Sequence, residues 1–317
     1  MSEVLTYSEV IKKSKRYDPT QTTALRQAFS KDMKKRFTEL CLVIATAIVK
    51  EDCFGVKKKI SVNQMTTPGV EAFAYPRSAE KVEAFIEWLQ RQVNKGLLQI
   101  GEYPQLGTGA ETAWTNMYIL DSYKRGVMRA RQELIAAGYK VPSLDETGGI
   151  TASMSTPFHI DRVGLLFTRV FSDLKGITAA MDSQISRILA QGIADGDSPR
   201  LLARKLISTI NGTGMGDLAI TDSLGRFIPA ERRALMLART EIIRAHHLAM
   251  IQEYRNWALE GVYVVGEWKT AGDDRVCPKC EHLEGKVFTL DEIEGMIPAH
   301  PNCRCIALPK LIEKKVA

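Results

Sequence analysis

The 317-residue chain contains no apolar run long enough to cross a lipid bilayer. Its longest largely apolar stretch, residues 40–49, stops at Lys50, whereas a spanning helix needs about 20 apolar residues. The N-terminus also lacks the basic segment and the apolar core that are typical of a secretory signal. We therefore expect no membrane association and folding in a reducing cytoplasm, where disulfides are rare.

Cysteine is scarce as well, with six residues in the chain, but four of them lie close together near the C-terminus. Cys277-Pro-Lys-Cys280 is followed by His300-Pro-Asn-Cys303-Arg-Cys305. A Cys-x-x-Cys turn places two thiolates around one ion, and a second Cys/His pair completes the tetrahedral shell that zinc prefers. The spacing predicts a structural Zn²⁺ site made from Cys277, Cys280, His300, Cys303 and Cys305.

Five candidate ligands compete for four places around the ion. We assign Cys277 and Cys280 to two places and rank the remaining pairs as His300 with Cys305, then His300 with Cys303, then both cysteines. A zinc ion with four protein ligands is closed and holds a fold together, whereas a catalytic zinc keeps one place open for water. We therefore expect a structural role for the metal and no catalytic residue.

Other chemistry for these residues has less support in the sequence. A thioredoxin-like site needs its Cys-x-x-Cys to open a helix within a β-α-β unit, but here the pair follows a predicted strand and loop. A zinc deaminase needs a His-x-Glu motif upstream of its cysteines, and none precedes Cys277. A metal-dependent nuclease built on His282 and His300 stays open, although no convergent set of carboxylates accompanies them.

The net charge of +6 is concentrated in the first part of the chain. Residues 1–60 hold 13 Lys and Arg against 7 Asp and Glu, while the remainder holds 30 of each. The basic clusters could contact nucleic acid or an acidic protein surface, or form a solvated helical face. Their members are Lys12, Lys13, Lys15, Arg16, Lys31, Lys34, Lys35, Arg36, Lys57, Lys58 and Lys59.

Adjacent histidines at 246 and 247 point in different directions on a predicted helix, so they cannot chelate one ion as an i, i+4 pair can. We interpret both as packing or surface residues. Glu241 and Arg244 lie three positions apart on the same helix and are expected to form an ion pair.

Apolar residues recur with helical spacing through most of the chain, which predicts a mainly α fold. A stretch rich in turn formers at 141–160 is interpreted as a linker between a helical domain at 1–140 and a second domain at 161–310. Near the C-terminus the period changes: residues 262–270 and 286–290 are β-branched and aromatic, which predicts paired strands. The expected architecture is mainly α with a small zinc-stapled α+β module at the C-terminus.

Four blocks in the C-terminal half occur together and in order. They are Ala238-Arg-Thr-Glu241, Trp268-Lys-Thr-Ala-Gly-Asp-Asp-Arg-Val-Cys-Pro-Lys-Cys280, Leu283-Glu-Gly-Lys-Val-Phe288 and Ile297-Pro-Ala-His-Pro-Asn-Cys-Arg-Cys305. Over roughly residues 160–310 this pattern resembles the minor head proteins of tailed bacteriophages that are related to the F protein of phage Mu.

The resemblance implies a structural component of the phage head rather than an enzyme. Such proteins are made late in infection, lie in low copy inside the head near the portal, and take part in head assembly and in DNA packaging or exit. Their implied partners are the portal protein, capsid or scaffold proteins and, without sequence preference, the packaged DNA. The resemblance brings no catalytic residue. It places the protein in the virion and, during assembly, in the host cytoplasm; the alternatives are a nuclease or other enzyme delivered with the DNA, and a DNA-binding packaging factor.

Overall fold

Helices dominate the structure, as the apolar periodicity predicts. The computed structural model describes residues 6–9, 18–55, 78–101, 112–212, 228–259 and 263–311. Of the basic clusters, only the one at residues 31–36 falls within these ranges; the clusters at 12–16 and 57–59 lie outside the described residues. No helix in the described ranges combines the length and the apolarity that a membrane span requires.

Helices and a short two-stranded ribbon form the N-terminal part of the described chain. The elements are α1 Thr23–Ala45, α2 Ser78–Gly96, β1 Ile100–Gly101, β2 Thr112–Ala113 and α3 Asn116–Ala136. A π-helical turn, Thr46–Lys50, extends α1. The buried face of α1 repeats at helical spacing through Phe29, Met33 and Phe37, which are fully buried, so an apolar stripe directs this helix into the core.

The segment predicted as a linker contains a 3₁₀ turn at Asp145–Thr147 and helix α4 at Gly149–Met154. Two longer helices follow, α5 Pro157–Ala194 and α6 Pro199–Asn211. The start of α6 matches the predicted cap, since Ser198 Oγ accepts a hydrogen bond from the Leu201 backbone N–H at 3.4 Å. Phe29 belongs to the same hydrophobic cluster as Leu174; the division into domains at 1–140 and 161–310 stays a prediction.

Helix α7, Ala230–Leu259, lies at the centre of the described helices and packs against α1, α3, α5 and α6. His246 and His247 are both buried on it, in agreement with their interpretation as packing residues. Glu241 and Arg244 form the expected pair, with Oε1 and Nε 3.0 Å apart. The C-terminal part of the chain packs against this helix as well.

A three-stranded antiparallel sheet with strand order β4-β3-β5 forms the C-terminal module. Its elements are β3 Val264–Lys269, α8 Pro278–Leu283, β4 Val287–Phe288, α9 Leu290–Glu294 and β5 Ile306–Leu311. The two predicted strands are β3 and β4, and β5 was not anticipated. Trp268 in the central strand is fully buried in a second hydrophobic cluster that also contains Leu134 of α3 and Tyr254 of α7, so the module shares its core with the helices.

Candidate metal centre

The structure brings together the five side chains predicted as zinc ligands. The ligand atoms of Cys277, Cys280 and His300 lie within 4.8 Å of one another, and the same holds for Cys280, Cys303 and Cys305. Cys280 belongs to both groups. The described residues therefore offer two overlapping sets of metal donors around one buried sulfur.

The first cysteine pair owes its geometry to the start of α8. Cys277 is the N-cap residue, and its Sγ accepts a hydrogen bond from the Cys280 backbone N–H at 3.4 Å. Pro278 occupies the first helical position, where the missing N–H is harmless and the fixed φ suits a helix. The tight turn that results directs both sulfurs to the same side.

His300 faces this pair with one ring nitrogen. Its Nε2 lies 3.2 Å from Cys277 Sγ and 3.2 Å from Cys280 Sγ. Zinc bonds of about 2.3 Å to sulfur and about 2.0 Å to nitrogen, at a tetrahedral angle, separate sulfur and nitrogen by roughly 3.5 Å. The observed spacing is close to that value.

The other ring nitrogen of His300 is occupied by the backbone. Nδ1 lies 2.9 Å from the Pro301 carbonyl oxygen, and a carbonyl can only accept, so Nδ1 carries the proton. The tautomer leaves the Nε2 lone pair free toward the sulfurs. Histidines that bind metals commonly donate their second N–H to such a partner, and the donor set therefore fits zinc.

Cys303 and Cys305 complete the buried sulfur group. A hydrogen bond from the Cys305 thiol lowers the pKa of Cys303 to about 5, and the same contact raises the pKa of Cys305. Burial raises the pKa of Cys280 to about 12. These opposed pKa shifts arise because several buried negative charges placed close together would repel one another.

An ion pair next to the cysteines joins the two chain segments that carry them. Arg304, between Cys303 and Cys305, donates from Nη1 and Nη2 to the two carboxylate oxygens of Asp273 at 2.7 and 2.6 Å. The Asp273 side chain is only 4% exposed, and these hydrogen bonds hold its pKa well below the usual range. The loop before Cys277 is thereby fixed to the segment before β5.

Further contacts attach the module to α7. The buried His247 ring places Nε2 3.0 Å from the Ile293 carbonyl oxygen of α9, and burial lowers the pKa of His247 to about 4, so the ring is neutral and Nε2 donates. Arg255 binds Asp291 and Glu294 on the same short helix at 2.6 and 3.0 Å. These contacts seat α9 on the central helix.

His282, the second histidine of the nuclease alternative, lies outside both groups of metal donors among the described residues. Its Nε2 is 2.8 Å from Nζ of Lys286 on the exposed surface. Only His300 of the two candidate histidines joins the cysteines, which removes the geometric support for a site built on both.

The sequence did not predict a buried polar network that lies elsewhere in the molecule. Glu253 of α7 accepts hydrogen bonds from Nε and Nη2 of Arg131 on α3 at 2.8 and 2.6 Å. The second Glu253 oxygen lies 3.2 Å from His159 Nε2, while His159 Nδ1 lies 2.9 Å from the Tyr123 hydroxyl. Since Arg131 and Glu253 are 122 residues apart in the chain, no local motif reveals the pair.

A cavity of about 410 Å³ opens beside this network. Arg131, His159 and Glu253 line it, and the charges of Arg131 and Glu253 balance each other in their ion pair. The other walls include Thr147, Ser153, Thr156, Phe158, Asn256 and Trp257.

Fold and site together define a mainly helical protein with a Cys/His cluster on a small antiparallel sheet. Residues 183–308 match the model of a protein family described as Phage Mu protein F like protein. The match confirms the resemblance inferred from the four blocks and indicates a phage head-related protein. A search of curated proteins found no match, and a search of solved structures found none either.

Proposed function

We propose that the protein is a structural minor head protein of a tailed bacteriophage, located inside the capsid near the portal. In this role it acts in head assembly and in DNA packaging or ejection, without catalysing a reaction. The observation that carries the proposal is the family match over residues 183–308, which includes the whole Cys/His cluster. A count of this chain against the major capsid protein, by quantitative mass spectrometry of purified particles, tests it: a few copies per particle are expected, and absence from finished particles would overturn it.

We propose further that the cluster holds one structural Zn²⁺ through Cys277, Cys280, His300 and one of Cys303 and Cys305. Zinc supplies a crosslink between the start of α8 and the segment before β5 when it is bound. Structural zinc sites contribute apparent binding free energies of about 10–16 kcal/mol to folding. The sheet shares its hydrophobic core with α3 and α7, and the crosslink would additionally hold the loops that precede α8 and β5 together.

Chelation tests the zinc proposal without any assay of activity. Purified protein should contain one zinc per chain, and a strong chelator should expose amides of residues 263–311 to hydrogen exchange while α3 stays protected. An unchanged exchange pattern, together with zinc-free protein, would exclude the proposal.

The surface of α1 supports contact with an acidic partner such as the portal protein or DNA. Lys31, Lys34 and Lys35 are exposed on this helix. Arg36 is engaged internally, because its Nη1 donates to the Gly96 carbonyl at 2.6 Å and its guanidinium lies 4.1 Å from the Trp114 ring centroid. Three exposed cations therefore remain for a partner within this part of the described chain, one of which, Lys35, is in a loose pair with Glu39 at 3.9 Å.

Substitution is the appropriate test of this contact, because deletion of α1 would also remove part of the shared core. Changing Lys31, Lys34 and Lys35 to Gln should reduce co-purification with the portal protein severalfold. A charge-matched control changes three exposed cations of α5 and α6, Lys175, Arg187 and Arg204, to Gln, and portal recovery should stay at the wild-type level. Equal recovery of both triple variants would contradict the proposal. Contact of these lysines with duplex DNA should weaken steeply as the salt concentration rises.

A further inference from the structure

The two halves of the cysteine cluster share a local pattern. Each begins with a donor residue followed by proline, one further residue and cysteine: Cys277-Pro-Lys-Cys280 and His300-Pro-Asn-Cys303. Each is also a tight turn, since the Cys280 N–H donates to Cys277 Sγ at 3.4 Å and the Cys303 N–H donates to the His300 carbonyl at 3.1 Å. Two turns of the same length, facing each other, provide two ligands apiece.

The backbone conformation of the second turn favours this arrangement. Asn302 has a φ of 61°, in the left-handed region that asparagine tolerates better than most residues. Its N–H donates to Thr240 Oγ1 of α7 at 3.2 Å. The central helix thus supports the turn that lies directly before Cys303.

Cys303 lies buried inside the cluster, with 1% of its surface exposed. Its sulfur is within 4.8 Å of the Cys280 sulfur, which also belongs to the group of Cys277 and His300. Cys303 follows His300 by three positions, the same separation as between Cys277 and Cys280, and two donors at this spacing on one tight turn can bind a single ion. Cys305 lies two residues beyond that turn.

The position of Cys305 follows from the sheet. It directly precedes β5, in which Ile306 pairs with Lys269 of β3. The strand register therefore constrains its backbone, whereas Cys303 lies in the turn that also presents His300.

We infer that Cys303 is the fourth zinc ligand, beside Cys277, Cys280 and His300, and that Cys305 lies outside the metal shell. The inference rests on the proposed zinc site and reverses the order expected from the sequence, which placed Cys305 before Cys303. It gives the metal three sulfur ligands and one nitrogen.

Two matched variants of the full-length protein, Cys303→Ser and Cys305→Ser, test the assignment through zinc content and competition with a chromogenic chelator. Because Cys305 lies outside the metal shell in this arrangement, Cys305→Ser should keep one zinc per chain with affinity within about tenfold of wild type. Cys303→Ser should weaken zinc binding by more than about 100-fold, beyond the 10–100-fold that is typical of residues hydrogen-bonded to ligands. Three results would overturn the inference. They are loss of zinc from Cys305→Ser but not from Cys303→Ser, one zinc per chain in both variants, and loss of zinc from both variants while their circular dichroism stays that of the wild type.

Cobalt substitution gives a second readout that does not require Cys303→Ser to fold. The sulfur-to-cobalt charge-transfer absorption reports the number of bound thiolates, so Co²⁺-loaded Cys305→Ser should match Co²⁺-loaded wild type. A loss of about one third of this absorption would identify Cys305 as a ligand and overturn the inference. Wild-type protein that binds neither zinc nor cobalt would instead refute the zinc proposal itself, which keeps the two failures distinct.

Discussion

Gly126 of α3 lies against the backbone carbonyl of His246 on α7. A Cβ atom built on Gly126 would meet the His246 carbonyl oxygen at 2.3 Å and the Ala249 Cβ at 2.6 Å, both far inside van der Waals contact. The absence of a side chain at this position lets the two helices approach closely. Since the C-terminal module packs on α7 as well, this contact joins α3 to the helix that supports the module.

Replacing Gly126 with alanine should therefore destabilise the protein by about 1–3 kcal/mol or more, because the clashing atoms belong to a neighbouring helix and cannot move aside. Chemical denaturation followed by circular dichroism measures the change. Gly176→Ala on α5 is the matched control: no atom lies within 4 Å of its built Cβ, so removal of a helical glycine should stabilise by about 0.5–1 kcal/mol. Equal effects at the two positions would contradict the close approach.

The buried pair of Arg131 and Glu253 leads to a second prediction. Glu253→Gln leaves the Arg131 guanidinium buried without its counter-charge, and the loss of one partner of a buried pair costs about 3–5 kcal/mol. The double variant with Arg131→Met and Glu253→Gln should lose less free energy of unfolding than the two single variants lose in sum. A double-mutant cycle measures the difference.

The control for this pair lies on the surface of α1. Lys35 and Glu39 are 3.9 Å apart with side chains 71% and 59% exposed. Glu39→Gln should change the free energy of unfolding by less than about 1 kcal/mol, because exposed pairs are screened by water. A loss of similar size at Glu39 and Glu253 would show that the network does not behave as a buried one.

A third prediction concerns the ion pair that joins the segments carrying the cysteines. Arg304→Lys keeps the positive charge but loses the planar fork that binds both oxygens of Asp273. Zinc affinity should fall about 10–100-fold, as is usual when a residue that orients ligand-bearing backbone is changed. Competition with a chelating dye measures it. Arg275→Lys is the control, because Arg275 binds the same carboxylate but is 64% exposed; its zinc affinity should stay near that of wild type.

Local signals in the sequence predicted the features that depend on neighbouring residues. Helical spacing of apolar side chains anticipated α1, and the Ser198-Pro199 dipeptide anticipated the start of α6, because a cap and a first turn involve only a few consecutive positions. The Cys-Pro-x-Cys spacing likewise identified the side chains that gather at the cluster. In each case the physical cause acts over one or two turns of the chain.

Features that depend on distant residues were not predictable in this way. Strand β5 contains Pro309, which weakens its strand signal, and it forms because β3 offers a free edge beside it. The choice between Cys303 and Cys305 depends on the turn at residues 300–303, which α7 supports through Thr240. The ion pair of Arg131 with Glu253 requires α3 and α7 to pack together, and a single sequence does not reveal that packing.

The last prediction follows from a buried carboxyl group on α5. Asp182 is 9% exposed, and its Oδ1 has no hydrogen-bond partner among the described residues. Burial raises the pKa of Asp182 to about 6, above the usual value near 4. The folded state therefore holds this proton more tightly than the unfolded state, so the group's contribution to stability is fully present below about pH 4 and is lost as the pH rises through about 6.

Asp182→Asn removes the charge while keeping the shape of the side chain. At pH 8 the wild-type carboxylate is ionised and poorly solvated, so the variant should be more stable by on the order of 1–2 kcal/mol, less than the full pKa shift implies because part of the group still reaches water. At pH 5 the folded wild-type carboxyl is largely protonated while the unfolded one is still mostly ionised, so the difference should fall to about half its value at pH 8 and vanish only near pH 3. Denaturant titrations of both proteins at the two pH values measure this, and the comparison at each pH cancels other titrating groups. Asp161→Asn, an exposed position on the same helix, should show no such pH dependence; an equal gain at pH 5 and pH 8 for Asp182→Asn would contradict the raised pKa.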